Sequence, residues 1–286
     1  MNSVVIRAKR TSEHMALALF MGILLYFAHS FVIAEGFISN EILRSVVSAV
    51  FGVLRLAVPA LMFALMQKHA GFEQAELKKP ECSIKYGITL AFGGFAVIFV
   101  SGLLYSAAFP MAAVSFEYKG AGQLALALFS SAVIPAVFEE LLYRRLICRE
   151  LTVHGSAFAV IISALLFGLA HFSFYTFPYA FVCGLVLGFV YLKTGSAKYT
   201  AAIHFANNAF SVILSIIEGK VEKLDYTNLT MIMTIALCVM AAGAFYTVMP
   251  NMRKIAFCEN GNVASSVFLT FSMAVYLACA VLMNFI

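Results

Sequence analysis

The chain predicts an all-α polytopic membrane protein, a bundle of eight or nine transmembrane helices. Three observations carry that prediction. Of its 286 residues 63% are hydrophobic and only 12% charged, against roughly 25% charged in a soluble domain. The apolar stretches run for about 17–25 residues, which suits a helix crossing a ~30 Å hydrocarbon core rather than a barrel strand. Lys and Arg collect at alternate ends of those stretches, as topology signals do. The net charge of +5 is spread over the connections, so no nucleic-acid partner is expected; the lipid bilayer is the surface the composition calls for.

Nine hydrophobic segments follow in order, roughly 15–35, 46–66, 86–109, 121–143, 156–175, 177–193, 199–217, 229–249 and 264–285. The first follows Arg7, Lys9 and Arg10 and runs from Met15 to Ala34, too long for a signal-peptide core, so it reads as an uncleaved span. The second carries Arg55 near its middle, where a guanidinium is expected to face the bundle interior. The fourth contains Pro135, which removes a backbone bond and favours a kink. The turn His154-Gly155-Ser156 leads into the fifth. The sixth is short, and the aromatic run Phe172-Ser-Phe-Tyr-Thr-Phe-Pro-Tyr179 before it reads either as a wall beside a site or as an interfacial belt. No repeat or linker divides the chain, so one domain, 1–286, is expected, with a core segment at about 121–217.

One set of segment ends holds Arg7, Lys9, Arg10, Lys68, Lys78, Lys79, Lys85, Arg144, Arg145, Arg149, Lys193, Lys198, Arg253 and Lys254. The opposite ends hold Arg44, Lys119, Lys220 and Lys223. This asymmetry predicts a multi-pass cell-membrane protein with a cytoplasmic N-terminus. The six cysteines show no paired spacing and read as small buried hydrophobes.

Chemistry enters with ionisable residues inside apolar helices, where each costs about 2.5–3.5 kcal/mol on insertion scales. Residues 138–145 read Phe-Glu-Glu-Leu-Leu-Tyr-Arg-Arg. Glu140 and Arg144 are four apart and share a helix face, so they read as a structural ion pair. Glu139 points about 100° away from that face, and its apolar setting suits a general base. Phe167 and His171 form a second pair at the same spacing, and His204 and Asn208 a third. Glu139 lies 16 residues before Gly155 and His171 lies 16 after it. At ~1.5 Å per residue both stand about 24 Å from the turn, level on an antiparallel hairpin. His14, His29, His69 and His154 stand alone and receive no role, and Asn207 lies off the His204 face.

These three pairs, in this order, resemble the CPBP family: CAAX prenyl proteases and bacteriocin-processing proteins, also called Abi proteins. Its Glu-Glu-x-x-x-Arg, Phe-x-x-x-His and His-x-x-x-Asn patterns are intact here as Glu139-Glu140-Leu-Leu-Tyr-Arg144, Phe167-Gly-Leu-Ala-His171 and His204-Phe-Ala-Asn-Asn208. The resemblance spans residues 138–208. It implies an intramembrane endopeptidase that cuts a peptide or protein substrate, lipid-modified in some members, near the cytoplasmic face. It makes Glu139 the water activator with His171, and His204 with Asn208 the oxyanion site. It leaves open a glutamate-dependent or a metalloprotease mechanism. In the second, Glu139, His171 and His204 would supply the three protein ligands that zinc needs; in the first no cofactor is required. The competing class is a proton-coupled carrier using the Glu/His cluster as a relay, against which stands the lack of an inverted repeat.

Overall fold

The computed structural model describes residues 3–34, 38–73, 75, 83–109, 120–218, 223–248 and 270–285. Among them there is helix and no strand. Helix α1 covers Ser3–Ala34, α2 Glu41–His69 and α3 Ile84–Ala108. Helix α4 covers Ala121–His154, α5 Ser156–Leu169, α6 Phe177–Thr194 and α7 Ala197–Glu218. Helix α8 covers Lys223–Val248 and α9 Phe271–Met283. Seven of these are long and apolar enough to cross a membrane, and α5 and α9 are shorter apolar helices. Each predicted hydrophobic segment contains a helix among the described residues, although the fifth segment, 156–175, leaves its helix at Leu169, and the fold is all-α and polytopic. Lys78, Lys79, Cys82, Lys119, Lys220, Arg253, Lys254 and Cys258, used in the sequence reading, lie outside the described residues.

Helices start where short polar side chains can take the first orphan N–H groups. The side chain of Asn40 accepts from the Leu43 amide at 3.0 Å, Ser83 from Tyr86 at 3.2 Å and Thr270 from Met273 at 3.3 Å. Large apolar side chains such as Phe31 and Leu61 are left about 60% exposed on the outer faces. In water that pattern would favour aggregation; on a membrane-spanning helix it is the lipid-facing surface.

The chain forms two compact units. The first comprises Met1–Lys78, Phe138–Gly188 and Ile255–Ile286; the second comprises Lys79–Val137 and Phe189–Lys254. In the first, α1 packs against α2 and α9, and the latter half of α4 packs against α2 and α5. Met15, Ala16, Leu19, Leu56, Phe63, Met273 and Tyr276 are buried there. Its polar end is tied together by Arg7, which donates from Nη2 to the Glu73 carbonyl at 2.6 Å and to Glu150 Oε1 at 2.7 Å. Arg149 Nε donates to the Ala75 carbonyl at 2.7 Å. Cations read as topology signals therefore also hold the segment that follows α2. In the second unit α3 packs on α7 and α8, with Phe95, Phe99 and Phe210 in mutual ring contact at 5.6–5.8 Å.

Helix α4 is not a uniform α-helix. Phe129–Val133 and Glu140–Cys148 are wound as π-helix, on either side of Pro135. A π turn moves the hydrogen-bond register by one residue and is common at functional sites. The sequence located the disturbance at the proline; the widened turns extend it to the acidic motif itself.

Candidate active site

Glu139 is the last residue before the second π stretch and is 7% exposed. Its side chain lines a cavity of about 30 Å³ in the first unit, together with Arg55, Tyr143, Phe167, His171, Phe172 and Tyr276. One water needs roughly 10–15 Å³ of such space, so the cavity admits a water beside the carboxylate. The equal distances of Glu139 and His171 from Gly155 have a direct counterpart: Gly155, at φ 112°, makes the turn between α4 and α5, and both residues reach the same cavity.

His171 follows the end of α5. Its Nδ1 lies 2.9 Å from the Phe167 carbonyl oxygen, which can only accept, so Nδ1 carries the proton. When the ring is neutral, that tautomer makes Nε2 its lone-pair nitrogen. The chain turns sharply after it, because Phe172 adopts φ 50°, a left-handed conformation that costs a non-glycine residue about 1–2 kcal/mol. The ring of Phe172 is held 4.9 Å from that of Tyr26 and lines the cavity. Asn284, just past α9, secures this turn. Its Nδ2 donates to the Leu169 carbonyl at 3.1 Å, and its own carbonyl accepts from the Phe174 amide at 2.9 Å. The aromatic run thus sends Phe172, rather than Tyr175 or Tyr179, to the cavity; Tyr175 is 60% exposed.

Glu140 and Arg144 are each 1% exposed, with Arg144 Nε 3.2 Å from Glu140 Oε2. The distance is that of an ion pair, but its angle falls short of a hydrogen bond. The guanidinium instead sits over Phe167, with Cζ 4.4 Å from the ring centroid. Tyr143 and His171 meet the same ring edge-on at 5.4 and 5.0 Å. Phe167 is therefore the common support of the acidic motif and the first histidine.

The third motif lies on α7 in the second unit. His204 is buried, and Asn208 donates from Nδ2 to the Ser131 carbonyl at 3.0 Å. Ser131 sits in the first π stretch of α4, where the shifted register gives its carbonyl to a side chain. Asn207 Nδ2 donates to Asn208 Oδ1 at 3.3 Å, so the residue set aside in the sequence orients the one singled out.

Sequence reasoning missed Tyr143, Tyr276 and Asn284, and named Phe172 only within the aromatic run. Tyr143 had a signal, four residues after Glu139 and on its face. Tyr276 and Asn284 had none, being more than a hundred residues away. As for metal, no three His, Cys, Asp or Glu side chains among the described residues gather as a ligand set, and zinc needs three protein ligands.

Fold and cavity together define a polytopic membrane protein with a carboxylate and a histidine sharing one water-sized space. Residues 121–210 match the family model described as type II CAAX prenyl endopeptidase Rce1-like. The match contains all three motifs, is consistent with the CPBP and CAAX protease resemblance, and implies protease activity on a peptide or protein in a membrane setting. Comparisons with curated proteins and with solved structures give no match.

Proposed function

We propose that this protein hydrolyses a peptide bond within the membrane, near its cytoplasmic face, with Glu139 as the base that activates water. The observation that carries the reading is the shared cavity of Glu139 and His171, large enough for a water. Glu139 accepts a proton from that water while its oxygen attacks the scissile carbonyl carbon. The carbonyl π pair moves to oxygen. When the C–N bond breaks, the carbonyl reforms and Glu139 returns the proton to the leaving nitrogen. His171, with Nδ1 tied to a backbone carbonyl, offers Nε2 to hold the water. His204 and Asn208 serve as the oxyanion donors, the assignment that the family resemblance supports. Glu140 and Arg144 hold the helix that carries Glu139. The substrate is a prenylated peptide, and the N-terminus is cytoplasmic in this reading.

The test uses the full chain in proteoliposomes with a fluorescence-quenched peptide, prenylated and unprenylated. Wild type is expected to cleave, and Glu139→Gln to lose about 10²–10⁴-fold in rate while staying folded. A folded Glu139→Gln protein that cleaves near the wild-type rate overturns the assignment. Glu139-dependent proton flux without cleavage would favour the carrier instead. Bound metal, measured in the active protein, decides between the glutamate-dependent and metal-assisted forms.

A further inference from the structure

Arg55 stands about ten residues inside the apolar run 46–66, roughly 14 Å from either end. A guanidinium at that depth persists only where protein or water receives it. Here it is half-buried, on the wall of the cavity that also holds Glu139, His171, Tyr143 and Tyr276. Its Cζ lies 5.9 Å from the Tyr26 ring centroid, at the outer limit of cation–π attraction, about 6 Å. The ring by itself is thus a weak reason for placing a charge there. Among the residues lining the cavity, Glu139 is the carboxylate and Arg55 the guanidinium, and they come from different helices, α4 and α2.

We propose that Arg55 is a positioning residue for Glu139: a fixed counter-charge that keeps the cavity electrically neutral through the reaction. The proposal rests on the reading of Glu139 as the base. At rest one negative charge sits on the Glu139 carboxylate and one positive charge on Arg55. As the water proton moves to Glu139 and the water oxygen bonds to the carbonyl carbon, the negative charge leaves the carboxylate and appears on the carbonyl oxygen. The net charge of the cavity does not change. On collapse the C–N bond breaks, the leaving nitrogen takes the proton from Glu139, and the carboxylate again balances the Arg55 charge. A fixed charge in a water-poor site stabilises such a transfer without reorganisation, and its field is little screened. None of the three motifs contains Arg55, and α2 lies outside the residues matched by the family model.

The test uses the full chain in lipid nanodiscs as Arg55→Lys, Arg55→Gln, Glu139→Gln and the double variant Arg55→Gln/Glu139→Gln. The readouts are Tm and, on a prenylated quenched peptide, kcat and KM. Arg55→Gln is expected to lower Tm, and adding Glu139→Gln to restore most of the loss, because the cavity is neutral again. Arg55→Lys keeps the charge and is expected to stay folded with part of the wild-type kcat. Arg55→Gln is expected to lose about 10²-fold in kcat with KM unchanged. Tm losses that simply add overturn the proposal, whether or not the probe is cleaved. So does a raised KM with wild-type kcat, which would make Arg55 a substrate anchor. So does activity that falls only with the folded fraction. Cleavage by Glu139→Gln would sink the base assignment itself, whereas full activity of Arg55→Gln beside an inert Glu139→Gln sinks this proposal alone.

Discussion

The guanidinium of Arg144 lies 4.4 Å over the ring of Phe167, so the arginine of one motif rests on the aromatic residue of the next. Helix periodicity had paired Arg144 with Glu140 and Phe167 with His171. The contact across α4 and α5 joins the two pairs into one support, and it explains how a charge 1% exposed is accommodated.

Breaking that support is expected to damage stability before chemistry. Arg144→Leu leaves the buried Glu140 carboxylate without its cation and is expected to cost about 3–5 kcal/mol. Phe167→Leu removes the ring under the guanidinium and is expected to cost about 1–2 kcal/mol. Thermal unfolding in detergent measures both. An Arg144→Leu protein as stable as wild type would remove Glu140 and Arg144 from the structural role.

Asn284 is expected to set the position of His171 from the far end of the chain. Asn284→Ala removes one of the two donors to the Leu169 carbonyl, which keeps its bond from the Phe172 amide, and is expected to cost about 0.5–1.5 kcal/mol. Hydrogen exchange over residues 169–174 should rise and cleavage should slow, with the rest of α5 still protected. Unchanged exchange there would show that the turn holds itself.

Close approach of α5 and α6 should be intolerant of added bulk at Gly184. A Cβ on Gly184 would lie 2.8 Å from the Ala164 Cα, a backbone atom that cannot step aside, whereas one on Gly188 would meet the Val160 side chain at 3.3 Å. Membrane helices use small residues four apart for such contacts. Gly184→Val is expected to cost about 1–3 kcal/mol through overpacking, more than Gly188→Ala. The reverse order of Tm values would contradict the packing.

Asn207 is expected to matter through Asn208. Asn207→Ala removes the donor that holds Asn208 Oδ1 and should slow cleavage by about tenfold, less than the ~10²–10³-fold expected when Asn208→Ala removes an oxyanion donor outright. Rates on one peptide, at equal folded fraction, order the two. Equal loss from both would mean that Asn207 has a role of its own.

Most of the fold was legible in the sequence because its signals are local. A bilayer demands long apolar helices that satisfy their own backbone groups, and the nine segments answer that demand along the chain. The acidic and histidine motifs were legible for the same reason: residues four apart share a face, and ionisable residues are conspicuous in apolar helices. Tertiary structure alone decided which face meets which. In water the apolar stripe of a helix points to the core, but lipid is as apolar as the core, so hydrophobicity marks no inner face. That is why Glu139 could be singled out from residues 138–145 and Arg55 expected in the interior, whereas the cavity they share with Phe172 and Tyr276, and the Asn284 that ties the His171 turn, became visible only when α1, α2 and α9 closed around α4 and α5.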